Sequence, residues 1–488
     1  MGILSNLEPA PVFKYFEKIC SIPHGSGNTE AISNFCVSFA KEHGLDFLQD
    51  KKNNVIIWKK GTKGYENSPS VIIQGHLDMV CEKEEGCNID FEKDGLKLQL
   101  ENGIISAKGT TLGGDDGIAI AYALAILESD DIPHPPIEAV FTVDEEIGMF
   151  GAAALDCTPL KSRIMLNIDS EEEGYLLVSC AGGITVTAHL PVKRNKIKGI
   201  PVTVKVSGLK GGHSGIDINK GRANSNVIMG RTLYTLSKLF VFNILSINGG
   251  LKDNAIPRET TAELIFEESI SISEVKEYLE RLNKTYAYEY HVEDADIKLG
   301  LKESVSDNAD TDGYNAFDDN TTSKIITALE NFPNGIQSMS HDIEGLVQTS
   351  LNLGVLTTCE NEVKYNYSVR SSVGTEKENI VDRIECLTQM LEGTMSYTSN
   401  YPAWEYNKDS PLRDLMVKVY EEKFGKKPVV QAVHAGVECG LFAGKLPGLD
   451  CVSYGPNLKN IHTTQEYMEA ESVLRTWEYT LEILKRLK

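Results

Sequence analysis

Residues 70–80 read SVIIQGHLDMV. A short β-rich run ends directly at His76, and Asp78 follows two positions later. At that spacing on an extended chain both side chains point the same way. Open α/β sheets place their sites just outside the carboxyl ends of their strands, so a histidine at a strand end is a candidate functional residue.

Other segments repeat the arrangement. IEAVFTVDEE (137–146) and SRIMLNIDSEEEG (162–174) read as buried strands that end in acids, offering Glu145, Glu146 and Asp169. TTLGGDDG (110–117) places Asp115 after two glycines, just before IAIAYALAIL (118–127). That run is apolar on all sides and predicts a buried helix, whose amino end favours a carboxylate. Glu145 and Glu146 are adjacent and diverge on an extended chain, so one can bind metal while the other faces substrate. The late His462, in GPNLKNIHTTQE (455–466), offers a second imidazole. Imidazole and carboxylate without thiolate suit zinc, manganese or cobalt. One ion needs three or four protein ligands; two ions bridged by a carboxylate use this longer set fully. Each residue alone has a plain structural reading, and their joint order gives them meaning.

The first third alternates helix-like and strand-like runs, which predicts an α/β domain with a mixed or parallel sheet flanked by helices. After Cys180, GIPVTVKVSG, TTAELIFEE, LVQTSLNLGVLTT and EVKYNYSVRSS alternate apolar and polar residues as half-exposed strands do, with helical runs between them. The expected division is a catalytic segment 1–182, an inserted α+β lid domain 183–398, and a second catalytic segment 399–488. A chain of 488 residues is too long for one ordinary core, which agrees with two domains.

Bulk properties narrow the function. Asp and Glu number 70 against 48 Lys and Arg, a formal charge of −22, which disfavours nucleic acid or an anionic membrane as partner. No apolar run approaches the roughly 20 residues that span a bilayer. MGILSNLEPAPVF has no basic stretch before an apolar core, so no secretory signal is expected. The ten cysteines form no Cys-x-x-Cys and read as reduced thiols of a cytoplasmic protein. There is no H-E-x-x-H, no G-x-S-x-G and no phosphate-binding G-x-x-x-x-G-K-[ST].

The ordered set GHLDMV, TTLGGDDG, TVDEEIGM, LNIDSEEEG and NIHTTQE resembles the aminoacyl-histidine dipeptidases, within the larger group of di-zinc peptidases that includes carnosinases, aminoacylases and carboxypeptidase G. The likeness runs through SIPHGSGN, GGHSG, DNAIPRE, YPAWEYNKDSPL and HAGVECGLF, and so covers essentially the whole chain. It implies that His76 and Asp169 hold one zinc, Glu146 and His462 the other, and that Asp115 bridges both. Asp78 is then the residue that orients His76, Glu145 the general base, and the bond between Asp115 and Asp116 a cis peptide. Family members often carry Asn where Asp116 stands here. The resemblance further places His213, Asn254, Arg370, Gly436 and Glu438 on the substrate side, with Arg370 suited to a peptide's terminal carboxylate.

The implied reaction is hydrolysis of a dipeptide, such as β-alanyl-histidine, by water activated between two zinc ions, with Mn²⁺ or Co²⁺ as possible substitutes. The insert would act as a lid carrying Arg370 and His213, and a homodimer is possible. Two other readings stand beside this one: a related amidohydrolase that removes an acyl group from an amino acid, and a non-catalytic peptide-binding scaffold.

Overall fold

The computed structural model describes residues 2–303 and 313–488. The chain divides into two compact units, one of Met1–Cys180, Tyr406–Ala432 and Val437–Lys488, the other of Ala181–Glu405 and Val433–Gly436. The inserted unit therefore runs past residue 398. Its edge strand Thr394–Tyr401 pairs with Gly182–Pro191, and Ala181 N–H bonds to the carbonyls of Val433 and Ala435, so a cut at 398 or 182 would fall inside hydrogen-bonded structure.

The first unit is built on an eight-stranded mixed sheet. Its strands are β1 (Asp46–Gln49), β2 (Val55–Lys59), β3 (Val71–His76), β4 (Ile137–Thr142), β5 (Ile164–Asn167), β6 (Tyr175–Cys180), β7 (Val429–Val433) and β8 (Asp450–Ser453). Their order across the sheet is β1-β2-β4-β3-β5-β8-β6-β7. The central four, β4-β3-β5-β8, run parallel, and every residue of β3 and β4 is buried, as expected for strands covered on both faces. The helix Gly114–Glu128 packs against β3 and against the helix Ala10–Cys20, and Ile118–Leu127 are buried on all sides. A second, four-stranded sheet joins Leu98–Glu101 and Ile104–Ala107 to Leu458–Lys459 and Tyr467–Glu469. It brings a late part of the chain beside an early one, and no local pattern in the sequence announces it.

The inserted unit has a nine-stranded antiparallel sheet with the helices Ser225–Ser237, Ile272–Glu289, Asp319–Asn331 and Gly374–Met390. Alternate residues such as Val202, Val204 and Val206 face a core that also holds Leu233, Ile325 and Ile384. Among the described residues no helix is long and apolar enough to cross a membrane. All ten cysteines are free thiols.

Candidate metal centre and the groups around it

At the carboxyl ends of the central strands the predicted residues of the first unit meet. His76 closes β3 and is buried; its Nε2 lies 3.1 Å from Asp115 Oδ1 and 3.6 Å from Asp169 Oδ1. His462 Nε2 lies 2.8 Å from Glu146 Oε1 and 3.2 Å from Asp115 Oδ2. Asp115 thus turns one carboxylate oxygen to each of two histidines. Three sets of ligand atoms each fit within 4.8 Å: His76, Asp116 and Asp169; His76, Glu145 and Glu146; Asp115, Glu146 and His462. Five acids and two imidazoles crowded this closely, with no thiolate, fit the donor set of two divalent ions.

Electrostatics supports the same fit. Burial pushes the Glu145 carboxyl up to about 9, with Asp169, Glu438 and Glu146 adding to it and His76 opposing. Glu146 and Asp169 are raised too, chiefly by burial. Burial works against a charged His76, yet the carboxylates of Asp115, Asp169 and Asp78 around it together hold its pKa well above the usual range. His462, bonded to Asp115 and Glu146, is raised to about 10. Carboxylates and imidazoles whose pKa values are pushed upward mark a site with excess negative charge, which bound cations would relieve.

Asp115 and Asp116 are joined by a cis peptide and both depart from helical φ/ψ at the amino end of their helix. Asp116 is buried and accepts the His76 backbone N–H at 3.1 Å, close to Gly75, where any Cβ would collide with its carboxyl. Burial, with repulsion from Asp169 and Asp115, raises the Asp116 pKa well above the carboxylate range. That shift favours the neutral acid, whose charge equals that of an asparagine side chain.

Asp78 is more than an orienter of His76. The His76 Nδ1–H donates to the Asp78 backbone carbonyl at 2.9 Å, while the nearer carboxylate oxygen is 3.6 Å away. That carboxylate instead accepts from Ser26 Oγ at 2.8 Å and from the Glu145 and Glu146 backbone N–H groups at 3.1 and 3.4 Å. It therefore ties the turn carrying the two glutamates to the end of β3.

Glu438 is placed differently from the expectation. Its side chain is fully buried in the first unit, accepting from Gln74 Nε2 at 2.6 Å and Thr142 Oγ1 at 2.7 Å. Gln74 Oε1 in turn accepts from Asn167 Nδ2 at 2.5 Å. Gln74 and Asn167 lie two residues before His76 and Asp169 on the same strand faces, so these groups form a polar layer directly under the site. The Glu438 carboxylate faces this layer through Oε2, while its Oε1 has no hydrogen-bond partner among the described residues.

Four further expected residues lie in the inserted unit. His213 Nδ1 accepts the backbone N–H groups of Gly215 and Ile216 at 3.1 and 3.2 Å, which leaves the ring proton on Nε2. Burial and the Arg370 charge lower its pKa, which favours the neutral ring. Arg370 is buried, its Nη1 donates to Tyr401 Oη at 3.0 Å, and its Nε has no hydrogen-bond partner among the described residues. A Cβ on Gly215 would lie 3.2 Å from the His213 ring and 3.3 Å from Arg370 Nε, so the two side chains converge on that glycine. Gly436 explains itself by steric need: a Cβ there would meet the Tyr401 ring at 2.6 Å. Asn254 is exposed and contributes its carbonyl, which accepts the Ser214 N–H at 2.9 Å. His434, left without a role by the sequence, is buried beside Arg370 with its Nε2 2.7 Å from Ser350 Oγ.

Residues 72–486 match the pattern of peptidase family M20/M25/M40. The chain belongs to this family. The peptidase is 35% identical over 489 aligned residues to the cytosol non-specific dipeptidase of Escherichia coli, covering 100% of this chain and 99% of that protein. Its fold superposes on the aminoacylhistidine dipeptidase of Vibrio alginolyticus with a TM-score of 0.91 and 36% identity, over 99% of this chain and 98% of that one. A Bacillus cereus aminopeptidase matches over 99% of both chains at a TM-score of 0.56 and 15% identity, and shares the fold alone.

Proposed function

We propose that this peptidase is a two-metal dipeptidase of the cytoplasm. His76 and Asp169 hold one ion, Glu146 and His462 the other, and Asp115 lies between them. The observation that carries this reading is Asp115, with one oxygen 3.1 Å from His76 Nε2 and the other 3.2 Å from His462 Nε2. Zinc is the proposed metal, and Mn²⁺ or Co²⁺ can stand in for it. The names of the E. coli and Vibrio relatives support dipeptides as substrates, and the second of them favours aminoacyl-histidine.

Bound divalent ions supply Lewis acidity toward the scissile carbonyl and lower the pKa of water toward about 7. Glu145 removes a proton from water as its oxygen forms the new bond to the carbonyl carbon. The same carboxyl then delivers that proton to the leaving amine nitrogen as the C–N bond breaks. Asp78 fixes the Glu145 backbone for this transfer. Arg370 pairs with the dipeptide's terminal carboxylate, and neutral His213 donates from Nε2 to substrate oxygen. The inserted unit acts as a lid that limits substrate length, and the peptidase works as a homodimer.

The decisive experiment is metal analysis and a dipeptide panel on one preparation. Two ions per chain and cleavage of aminoacyl-histidine, abolished by chelation and restored by Zn²⁺, are expected. Activity that survives complete chelation would overturn the reading. Preference for an N-acyl amino acid over a dipeptide would instead assign the chain to the deacylases.

A further inference from the structure

The carboxylate of Glu466 sits apart from the seven residues considered above and is buried. Its Oε2 accepts the backbone N–H groups of Leu112 at 2.7 Å and Gly113 at 3.2 Å, and its Oε1 accepts that of Gly114 at 2.9 Å. Three successive amides therefore converge on one side chain from more than 350 positions away. These amides open the helix Gly114–Glu128, whose own cap residue, Gly113, makes no side-chain cap bond. Helix amino ends leave such N–H groups unsatisfied and attract negative charge, so Glu466 caps this helix from a distant part of the chain.

What the clamp holds matters more than the cap itself. The residue after Gly114 is Asp115. On its other side Glu466 stands four positions after His462, and its N–H bonds to the Thr463 carbonyl at 3.1 Å. His462 is in the left-handed region at φ 60°, as is Asn460 at φ 53°, a conformation that costs energy in residues other than glycine unless the surroundings enforce it. Directly after Glu466 the strand Tyr467–Glu469 pairs with Ile104–Ala107, with Tyr467 opposite Ser106 and Met468 opposite Ile105. One buried carboxylate thus locks together the two loops that carry Asp115 and His462.

We propose that Glu466 is a positioning residue of the metal centre, setting the spacing between Asp115 and His462. The inference rests on the two-metal reading above. Groups that orient metal ligands typically change metal affinity by about 10- to 100-fold when removed. The ion at Glu146 and His462 takes most of that loss, because His462 and Asp115 both move. The ion at His76 and Asp169 loses less, since Asp78 and the polar layer under β3 still hold it.

The test is calorimetric titration of the metal-free full-length chain with Zn²⁺, for the wild type, Glu466→Gln and Glu466→Ala. Glu138→Gln serves as a control, because Glu138 is likewise a buried carboxylate that accepts backbone N–H groups, those of Lys161 and Ser162, near the start of β4 and so at the end of that strand far from the site. Glu466→Gln keeps the size of the side chain, so it is read even where Glu466→Ala does not fold. The expected result is two ions for the wild type, with one binding phase weakened about 10- to 100-fold in Glu466→Gln and unchanged in Glu138→Gln. Equal affinities in wild type and Glu466→Gln, whatever their melting temperatures, overturn the inference and leave the two-metal reading standing. A wild-type chain that binds no ion overturns both.

Discussion

The two clusters of this peptidase are electrostatic opposites. In the first unit carboxylates crowd together, burial raises Glu145, Glu146 and Asp169, and the imidazoles of His76 and His462 are pulled toward the charged form. In the inserted unit burial, reinforced by the charge of Arg370, pushes both His213 and His434 toward the neutral form, and Arg370 Nε and Ser214 Oγ have no partners among the described residues. A surplus of negative charge calls for cations, and a surplus of positive charge with spare donors calls for an anion. On the proposed reading, each cluster carries an imbalance left by folding, which its bound species would complete.

The sharpest way to break this comparison is Glu145→Gln. If the negative cluster holds metal through the other acids and uses Glu145 for proton transfer, kcat falls about 10²- to 10⁴-fold while bound metal stays at the wild-type level. Steady-state rates and metal content on the same sample check this. Unchanged turnover would remove Glu145 from the mechanism, and lost metal would move it among the ligands.

How far these clusters were legible follows from where their signals sit. His76, Glu145, Glu146 and Asp169 end apolar runs and Asp115 shortly precedes one, and a strand end in an α/β sheet has one place to go. The buried helix and the antiparallel insert were legible for a similar reason, because local periodicity reports local burial. The roles of Glu466, Gln74 and Tyr401 depend on what folds against them. Glu466 meets Leu112 across 354 residues, and nothing near either position encodes that meeting. Glu438 shows the same limit in reverse. Its place in HAGVECG suggested a substrate loop, yet it turns inward because Gln74 and Thr142 offer donors beneath the strand ends. The Asp78 carboxylate lies 3.6 Å from His76 Nδ1 and also accepts from the Glu145 turn, a contact that its spacing from His76 does not announce.

A smaller effect is expected from Arg370→Lys. Lysine keeps the charge but not the planar fork, and it cannot donate to Tyr401 and to a carboxylate with the same geometry. A charge-assisted bond of this kind contributes about 1.5–3 kcal/mol, so kcat/KM for a dipeptide should fall about 10- to 100-fold. The same dipeptide with its terminus amidated should be affected little. An equal fall for both forms would mean that Arg370 supports the fold and not carboxylate recognition.

The smallest effect is confined to acid. Burial, reinforced by Arg370, lowers the His434 pKa to about 3, against 6.5 for the unperturbed group. A histidine whose folded pKa is depressed stabilises the fold fully above about pH 6.5. That contribution is lost as pH falls toward 3, because the unfolded chain binds the proton that the folded chain refuses. At pH 5 the loss is about 2 kcal/mol, from roughly 1.4 kcal/mol per unit. His434→Asn removes the titrating ring, so its stability should fall less steeply between pH 6.5 and 5. Near pH 7.5 it differs from wild type only by the altered contact with Ser350. Urea midpoints of both metal-free proteins across this range measure the difference in slope, in which titrations common to both chains cancel. Parallel curves would mean that His434 takes up its proton without cost, and the inserted unit would then lack the positive surplus on which the contrast between the two clusters depends.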